Sequence, residues 1–381
     1  SKHISLSYRG KKMRILVTGG AGFVGSHLVD ALVKNGNEVI IYDNLEPQVH
    51  QEIPEYLNNN AKFIRSDIRD QEKLLGIIKD TDIIFHLAAM VGVGQSMYQI
   101  KKYVDVNTYG TAKLLDILVN SEHSVKKLIV ASSMSIYGEG KYSCEDCGVV
   151  YPSLRHEKQL KEKQWEMKCP ICKKQVKPIP TDENKPLQPT SIYAITKKDQ
   201  EEMCLVTGIS YGIPTVALRY FNIYGARQSL NNPYTGVCAI FSSRIKNNNP
   251  PLIFEDGLQT RDFISVHDIV ESNLIAMNKS GADYEVYNVG TGKPTSILDI
   301  AETLLKLYNK DLEPEIVNKY RSGDIRHCYA DISKIKKLGY KPKVSFKNGM
   351  QELVKWSELQ SAKDKSLEAY EELRERGLVK E

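Results

Sequence analysis

No apolar run in the sequence is long enough to span a membrane, and the first residues, SKHISLSYRGKK, lack the apolar centre of a signal peptide. The sequence also has no internal repeat and no low-complexity tract. Basic residues are scattered among acidic ones and the net charge is only +5, whereas nucleic-acid-binding proteins concentrate basic charge on one face. These absences predict a cytoplasmic protein that binds neither a membrane nor a nucleic acid.

The composition is typical of a soluble globular protein, with 41% hydrophobic and 26% charged residues. With 381 residues, the chain can bury a full core and form two domains or one large domain. In the cytoplasm, its seven cysteines are more often metal ligands or core residues than disulfides.

The first half of the sequence alternates short apolar segments with helix-like segments. The predicted strands are RILVTGG, EVIIYDN, AKFIRSDI, DIIFHLAA, KKLIVASS and, later, TVALRYFNIYG. Predicted helices are FVGSHLVDALVKNGN and NTYGTAKLLDILVNS. Strands rich in Val and Ile that alternate with helices predict an α/β fold with a doubly wound parallel sheet of the Rossmann type.

The pattern divides the chain into a large domain and smaller parts. We assign residues 13–225 to the Rossmann-type domain, with an insertion at residues 139–180. Residues 226–346 are predicted to form mainly a smaller substrate-binding lobe, because Asn, Gly and Pro punctuate short elements there. Residues 347–381 are predicted to form a charged helical tail that is exposed to solvent.

A glycine-rich turn follows the first predicted strand. TGGAGFVG places Gly19, Gly22 and Gly25 at the start of the first predicted helix. Glycine lets the backbone turn tightly and approach a pyrophosphate, which the helix N-terminus attracts. A glycine triplet alone is weak evidence, but the strand, the helix and an acidic residue after the second strand complete the dinucleotide-binding pattern.

That acidic residue is Asp43, which ends VIIYD. A carboxylate here accepts hydrogen bonds from ribose hydroxyls and repels a 2′-phosphate, which favours NAD over NADP. The alternative is a turn Asp at the end of a strand. Asp67, at the end of the next strand, either contacts the adenine or caps the following helix.

A tyrosine and a lysine stand one helical turn apart in SIYAITKK, at Tyr193 and Lys197. The ammonium group favours the phenolate and lowers the tyrosine pKa, so that the phenolate can remove a proton from a sugar hydroxyl. Other pairs, such as Tyr109 and Lys113, share this spacing. Of these pairs, only Tyr193 lies on a predicted helix downstream of the strand ending ASSMSIYG, whose C-terminal end faces the ligand crevice.

Ten segments match a known family in order, between residues 13 and about 345. They are TGGAGFVG, YDN, HLAA, VDVNTYGT, ASSMSIYG, SIYAITK, RYFNIYG, RDFISVHD, YNVG and RSGDIRHCYADISK. On these segments the chain resembles the extended short-chain dehydrogenases/reductases, specifically the nucleoside-diphosphate-sugar epimerase/dehydratase family.

The resemblance implies catalytic roles for three residues. Tyr193 would be the general base, and Lys197 would tune it and contact the nicotinamide ribose. Ser133, four residues before the tyrosine of the YG pair, would hydrogen-bond the reacting sugar oxygen. Without the family match, Ser133 would be read as a strand-end serine that satisfies local backbone groups.

The resemblance also implies binding positions and an assembly. The expected NAD-binding residues are Gly19, Gly22, Phe23, Val24, Gly25, Asp43, Asn44, Asp67, Ile68, Leu87, Ala88, Ala89, Asn107, Tyr193 and Lys197. Asn222, Arg261 and Arg321 would contact the substrate diphosphate, and arginine suits phosphate oxygens because it offers a fork of donors. A homodimer is implied, with helices around residues 95–120 and 191–208 packing across the two-fold axis.

The strand end separates the reactions of the family. Sugar 4,6-dehydratases have a sequence similar to TDEVYG at this position and use its Asp-Glu pair for elimination. This chain has Met134 and Ser135 instead. Decarboxylating relatives keep the Glu. We therefore expect epimerisation through a 4-keto sugar, in which hydride leaves C4 to NAD and returns to the opposite face.

The substrate is a finer question. SSMSIYGEG, the four-cysteine insertion and NNPYTGVCAIFSSR resemble the dTDP-L-rhamnose 4-epimerases, which interconvert dTDP-L-rhamnose and dTDP-6-deoxy-L-talose. A UDP-glucose or UDP-N-acetylglucosamine 4-epimerase is the alternative, because small Cys328 leaves room for an acetamido group. From another class, a non-catalytic NAD-bound sensor or a zinc-ribbon interaction protein also fits, although Ser133, Tyr193 and Lys197 are all present.

Four cysteines form the pattern C-x2-C-x21-C-x2-C at Cys144, Cys147, Cys169 and Cys172. This spacing is close to that of a zinc ribbon and predicts a closed, structural zinc site, with a rubredoxin-like iron or a redox dithiol as alternatives. The metal would replace a hydrophobic core that the insertion is too short to build. We expect the insertion to wall one side of the sugar pocket and RHEKQLKEKQWEMK to be a solvated helix.

Overall fold

The computed structural model describes residues 8–234 and 236–381, so part of the segment inspected for a signal peptide lies outside the described residues. The strands are β1 (Arg14–Thr18), β2 (Glu38–Asp43), β3 (Lys62–Arg65), β4 (Ile83–His86), β5 (Lys127–Ser133), β6 (Lys141–Cys144), β7 (Gly148–Val150), β8 (Lys177–Ile179), β9 (Thr215–Tyr220), β10 (Asn222–Tyr224), β11 (Leu252–Ile253), β12 (Thr260–Arg261), β13 (Phe263–Ser265), β14 (Glu285–Val289), β15 (Thr295–Ser296), β16 (Glu315–Ile316), β17 (Tyr320–Arg321), β18 (His327–Cys328) and β19 (Val379–Lys380).

The helices follow the predicted alternation in the first half. They are α1 (Phe23–Lys34), α2 (Gln71–Ile78), α3 (Val93–Ser96), α4 (Ile100–Tyr103), α5 (Gly110–Asn120), α6 (Glu157–Lys161), α7 (Ile192–Tyr211), α8 (Val237–Lys246), α9 (Val266–Asn278), α10 (Ile297–Leu307), α11 (Ser333–Lys336), α12 (Phe346–Glu358) and α13 (Ser366–Glu375). A π-helical segment, Val104–Tyr109, joins α4 to α5. Across the described ranges, no helix is both long enough and apolar enough to cross a membrane.

The central sheet is parallel and has the strand order β3-β2-β1-β4-β5-β9-β14. Alternate side chains of one strand enter opposite apolar layers: Ile15 and Val17 of β1 pack in one, and Leu16 packs in the other. Helices cover both layers, which is why these strands read as continuous apolar runs. The predicted doubly wound α/β fold is confirmed.

The boundary drawn at residue 226 is wrong in one respect. Strand β14 returns to the central sheet and pairs with β9, and α9 packs against α1 on the same layer. The sequence misled because β14 lies among Asn- and Gly-rich turns. The remaining lobe has its own core, in which Phe241 of α8, Leu304 of α10 and Leu353 of α12 are buried.

The tail was predicted to be solvated, and this is also wrong. Helix α12 buries Met350 and Leu353, and α13 buries Ala369 and Leu373. Strand β19 pairs with β17 in antiparallel fashion, which ties the last residues to the loop that carries Arg321. The tail is charged on its outer face only.

The insertion forms a small unit with a three-stranded antiparallel sheet in the order β7-β6-β8. Its core consists of a few apolar side chains around the cysteines, among them Tyr142, Val150, Met167 and Val176. Helix α6 covers only Glu157–Lys161, so the predicted solvated helix is much shorter than expected. Trp165 and Met167, within the same predicted segment, are buried.

Candidate active site

One cavity of about 680 Å³ lies at the C-terminal ends of the parallel strands and extends into the C-terminal lobe. This is the crevice where open α/β sheets bind ligands. The cavity brings together nearly all of the predicted site residues. Those that line it are Gly19, Gly22, Phe23, Val24, Gly25, Asp43, Asn44, Asp67, Ile68, Leu87, Ala88, Ala89, Ser133, Tyr193, Lys197, Asn222, Arg261 and Arg321.

The glycine turn has the geometry of an anion cradle. Gly19 has φ +69°, and a Cβ atom on Gly25 would lie 2.2 Å from the Gly19 carbonyl oxygen, so neither position accepts another residue without strain. Helix α1 starts after Gly22 with no side-chain cap. The backbone N–H groups of its first turn are therefore available to an anion such as a pyrophosphate.

Asp43 lies at the end of β2 with its carboxylate fixed from both sides. Oδ2 accepts from the Ala21 backbone N–H (3.1 Å) and Oδ1 accepts from that of Leu45 (2.9 Å). Burial raises the pKa of Asp43, and the two backbone donors and nearby His50 oppose this rise. The carboxylate is held at the cavity wall, where a ribose would meet it.

Asp67 also lines the cavity but is bound to a cation. Arg69 donates to both of its oxygens (2.8 Å each) and also contacts Asp105 (2.7 Å). Hydrogen bonding to Arg69 lowers the pKa of Asp67. The helix cap proposed as an alternative role is wrong, because Asp70 is the residue that caps α2.

Asn107, which is predicted to contact the cofactor, is not among the residues that line the cavity. Its side chain is fully buried behind the wall, accepting from the Met90 backbone N–H (2.7 Å) and donating to Thr196 Oγ1 (3.0 Å). It thereby ties the loop after β4 to helix α7. From the sequence alone, a side chain that contacts the cofactor could not be distinguished from one that holds the cavity wall from behind.

The end of β5 carries two hydroxyl groups and no carboxyl group. Ser133 Oγ accepts from the Ser135 backbone N–H (3.1 Å) and from Ser135 Oγ (2.8 Å). Met134 and Ser135 line the cavity beside it. The sequence showed that Ser135 carries no carboxyl group, but it did not predict the hydrogen bond from Ser135 to Ser133.

Tyr193 lies in the first turn of α7, and Ser191 caps this helix. The backbone N–H of Tyr193 donates to Ser96 Oγ (2.9 Å). Burial raises the pKa of Tyr193 to about 12, and the Ser133 hydroxyl partly offsets this rise. The expected lowering of this pKa by Lys197 is not found. The protein's own groups keep the phenol protonated at neutral pH.

Lys197 is directed into a buried chain of polar side chains. Its Nζ donates to Gln200 Oε1 (2.7 Å), and Gln200 Nε2 donates to Thr111 Oγ1 (2.9 Å). His86 Nε2 lies 2.9 Å from the same hydroxyl oxygen, and its Nδ1 lies 2.8 Å from Thr18 Oγ1. Burial lowers the pKa of Lys197 to about 8. This series of hydrogen-bonded side chains holds Lys197 at the cavity floor.

The three predicted diphosphate residues lie in the lobe half of the cavity. Asn222 Oδ1 is buried and has no hydrogen-bond partner among the described residues. Arg261 donates to the carbonyl oxygens of Arg326 (2.8 Å) and Ile325 (2.9 Å), and Arg321 binds Asp324 (2.8 Å). The two arginines face one space and make this end of the cavity suited to an anionic group, whereas the unpaired Asn222 Oδ1 can accept a hydrogen bond from a ligand hydroxyl or N–H group.

Helix α13 forms part of the cavity wall, which sequence reasoning missed. Ala369, Tyr370 and Leu373 line the cavity, and the Tyr370 ring lies 6.0 Å from that of Phe254. The signal was present in SLEAYEELRE, where these three residues share one helical face. The surrounding charges obscured it.

The cysteine cluster forms as predicted. The sulfur atoms of Cys144, Cys147, Cys169 and Cys172 all lie within 4.8 Å of one another. Burial disfavours the Cys169 thiolate, but backbone N–H groups of Cys172 and Ile171 outweigh this and lower the pKa of Cys169 to about 7. Backbone donors around a sulfur favour the thiolate that binds a metal.

The insertion does not wall the sugar pocket, contrary to the prediction. None of residues 139–189, all of which the structure describes, lines the cavity. The insertion lies behind the cavity, against the lobe segments around Glu255 and Arg326. Any effect on the ligand must therefore be transmitted through those segments.

Comparisons with known proteins agree with this geometry. The model of the NAD dependent epimerase/dehydratase family matches residues 15–155 and 172–290. The chain is 35% identical over 352 residues to dTDP-L-rhamnose 4-epimerase of Burkholderia thailandensis, covering 91% of this chain and 95% of that protein. It is also 35% identical over 344 residues to a putative UDP-glucose 4-epimerase of Methanocaldococcus jannaschii, covering 90% and 97%.

A solved structure supports the same assignment. The UDP-N-acetylglucosamine 4-epimerase of Methanobrevibacter ruminantium, in complex with UDP-N-acetylmuramic acid, has a TM-score of 0.74 and 34% identity, covering 92% of this chain and 100% of that one. The break in the family match falls inside the insertion, and both flanks continue the shared fold. The chain therefore belongs to the NAD-dependent epimerase/dehydratase family and is an enzyme of that family.

Proposed function

We propose that the enzyme interconverts the C4 epimers of a nucleoside-diphosphate sugar through a transient 4-keto sugar. The observation that carries this proposal is the reaction centre at the end of β5, where Ser133 and Ser135 supply hydroxyls and Met134 takes the place of an acid. Elimination of water needs additional groups that transfer protons, and in the sugar 4,6-dehydratases that the chain resembles an Asp-Glu pair at this position has that role. A centre limited to hydroxyl groups suits reversible oxidation of one carbinol.

The protein's own groups supply the proton transfer. Bound oxidised NAD would accept and return the C4 hydride, and its positive charge would favour the phenolate. Tyr193 then takes the C4 hydroxyl proton, and Ser133 holds the C4 oxygen by a hydrogen bond. The same phenol returns the proton after the sugar turns over, so neither a proton nor a hydride is consumed.

For the substrate, we propose dTDP-L-rhamnose and dTDP-6-deoxy-L-talose. The Burkholderia relative and the shared segments around Ser133 support this pair. The putative UDP-glucose 4-epimerase is equally identical, so UDP-glucose or UDP-N-acetylglucosamine is the second candidate. Cys328 carries no weight in this choice, because it is buried in the main apolar core.

A panel of dTDP-, UDP- and GDP-sugars, incubated with purified enzyme and no added NADH, tests the proposal. We expect equilibration of C4 epimers, fastest for dTDP-L-rhamnose. A requirement for stoichiometric NADPH would indicate a reductase instead. Binding of NAD without turnover of any sugar would favour the non-catalytic sensor.

We also propose that the four cysteines bind structural zinc. Zn–S bonds of about 2.3 Å place tetrahedral sulfurs about 3.8 Å apart, and the Sγ atoms of Cys144 and Cys172 lie 3.5 Å apart. Four sulfurs leave no open position, so the role is structural. In the cytoplasm, which the sequence predicts, a disulfide is disfavoured.

Metal analysis of protein expressed without zinc supplementation tests this site. We expect one zinc per chain, lost in Cys144→Ser, with NAD binding retained. A red, iron-containing protein would support a rubredoxin-like site. A mass lower by two protons per cysteine pair would support a redox dithiol.

Finally, we propose a homodimer built on two neighbouring helical faces. Large apolar side chains are exposed on α4, the π-helical segment and α7; they are Ile100, Val104, Tyr109, Ile195, Val206, Ile209 and Tyr211. A monomer rarely exposes so many together. These segments are the ones that the family resemblance places across the two-fold axis.

A further inference from the structure

We propose that the insertion is a positioning unit for nucleotide-sugar binding. Arg155 and Glu166 of the insertion hold the two lobe segments that carry Arg261 and Arg321. The inference rests on the proposed function, because it takes these two arginines to bind the diphosphate. It deepens that function, because it gives the insertion that carries the four cysteines a role in substrate binding although the insertion does not line the cavity.

Arg155 connects the insertion to both lobe segments. Its side chain is only 2% exposed. Two of its nitrogens bind the two carboxylate oxygens of Glu255 (2.7 and 3.0 Å), and one also reaches the Asp324 carbonyl oxygen (3.3 Å). Glu255 and Asp324 both line the cavity. One buried guanidinium therefore fixes two parts of the cavity wall.

Glu166 makes the second connection. It accepts from Arg326 Nη2 (2.6 Å) and lies 3.0 Å from His327 Nε2. Arg326 is fully buried and also binds Glu255 (3.2 Å) and Asp256 (2.8 Å). Without the Glu166 carboxylate, Arg326 keeps Glu255 and Asp256 but loses the acceptor of its Nε (3.1 Å) and its ion pair with the insertion.

The network ends at the proposed diphosphate arginines. Arg261 takes its position from the carbonyl oxygens of Ile325 and Arg326, which belong to the segment that Glu166 secures. Strand β18, starting at His327, pairs with β12, which carries Arg261. Arg321 is bound to Asp324, whose carbonyl Arg155 holds. A shift of this segment moves both arginines.

The cysteines explain why the insertion can act as a rigid support. Arg155 and Glu166 both lie between the two cysteine pairs. Trp165 and Met167 flank Glu166 and are buried, and Met167 packs in the small core with Cys169. Closing the loop at the cysteines restricts the positions that the two charged side chains can take.

Glu166→Gln, with Glu162→Gln as the matched control, tests the proposal. Both are Glu to Gln changes in the insertion, but Glu162 is exposed and accepts from Gln164 of the insertion itself. The readouts are the affinity for dTDP and UDP by calorimetry, KM and kcat for the nucleotide sugar, NAD affinity and melting temperature. Since a misplacement of ~1 Å can cost about 100-fold, we expect Glu166→Gln to weaken diphosphate binding and raise KM about tenfold.

The same change should leave kcat and NAD affinity within about twofold, and Glu162→Gln should match the wild type. Arg155→Lys is the second variant, because it keeps the charge but loses the fork, and it keeps the test open if Glu166→Gln melts below the assay temperature. Unchanged dTDP and UDP affinity in folded variants would overturn the inference. Equal losses of affinity for NAD and for dTDP or UDP would also overturn it. Wild-type enzyme that binds neither dTDP nor UDP would instead overturn the proposed function itself.

Discussion

At the residue scale, the proposed chemistry depends on Tyr193, whose phenol the protein alone keeps protonated. Burial raises the pKa of Tyr193 to about 12, and Ser133 only partly offsets it. The phenolate must therefore be favoured by charge that arrives with the ligands. This coupling would restrict proton removal to the loaded site, where a hydride acceptor is present.

Tyr193→Phe should lower kcat by about 10²- to 10⁴-fold, the usual contribution of a general base, while NAD still binds. Tyr109→Phe is the control, since Tyr109 and Lys113 share the spacing but form an exposed cation–π pair. Rates of C4 epimerisation and NAD titrations measure both. Near-normal turnover by Tyr193→Phe would assign the base elsewhere.

Gln200 should set the pH range of activity through Lys197. Burial lowers the pKa of Lys197 to about 8, so the ammonium is present below that pH and is lost above it. Gln200→Leu removes the acceptor of the ammonium and should move the alkaline limb of kcat to lower pH. Gln200→Glu should move it to higher pH, because a carboxylate stabilises the ammonium. An identical alkaline limb in both variants would contradict this role.

Residues whose role depends on local backbone could be predicted from the sequence. Gly19, Gly22 and Gly25 line the cavity because a strand, a turn and a helix leave them little choice. Asn107 differs, because its partners Met90 and Thr196 come from other parts of the chain. The sequence pattern gave no indication that these residues are neighbours, whereas Gln200 lies only three residues from Lys197 on the same helix.

At the scale of elements, the last helix is part of the binding site. Leu373 of α13 lies at the cavity, whereas Leu367 of the same helix is exposed. Leu373→Ala should raise KM for the nucleotide sugar about three- to tenfold through loss of buried contact, and Leu367→Ala should not. Steady-state kinetics distinguish the two. Equal KM values would show that α13 only covers the lobe core.

Strand and helix order in the first half followed from periodicity, since β1, β4 and β5 are largely buried and helices cover both faces of the sheet, whereas the edge strand β3 is partly exposed. The places of the later elements could not be predicted in this way, because the burial of these elements depends on which other parts of the chain pack against them. Strand β14 joins the sheet although it lies among turns, and α13 is charged on one face and buried on the other. The acidic and basic residues of the insertion appeared to be surface charges, whereas Glu166 pairs with a fully buried arginine.

At the scale of the whole molecule, the apolar faces of α7 and the π-helical segment predict a dimer. Val206→Glu places a charge in the centre of that face, where Val206 is now exposed, and should give a monomer. Light scattering after gel filtration measures the mass, with Val149→Glu, on the exposed surface of the insertion, as control. A monomeric wild type, or a dimer in both variants, would contradict this interface.

The family and the cofactor follow from the fold and the cavity, but the sugar does not, because two relatives of equal identity carry different names. What all candidates share is a hydride that leaves C4 and returns to the same carbon. The most direct measurement uses dTDP-L-rhamnose carrying deuterium at C4, incubated without added NADH. We predict dTDP-6-deoxy-L-talose that retains the deuterium at C4, whereas an epimer that has lost its deuterium to water would contradict hydride transfer at C4.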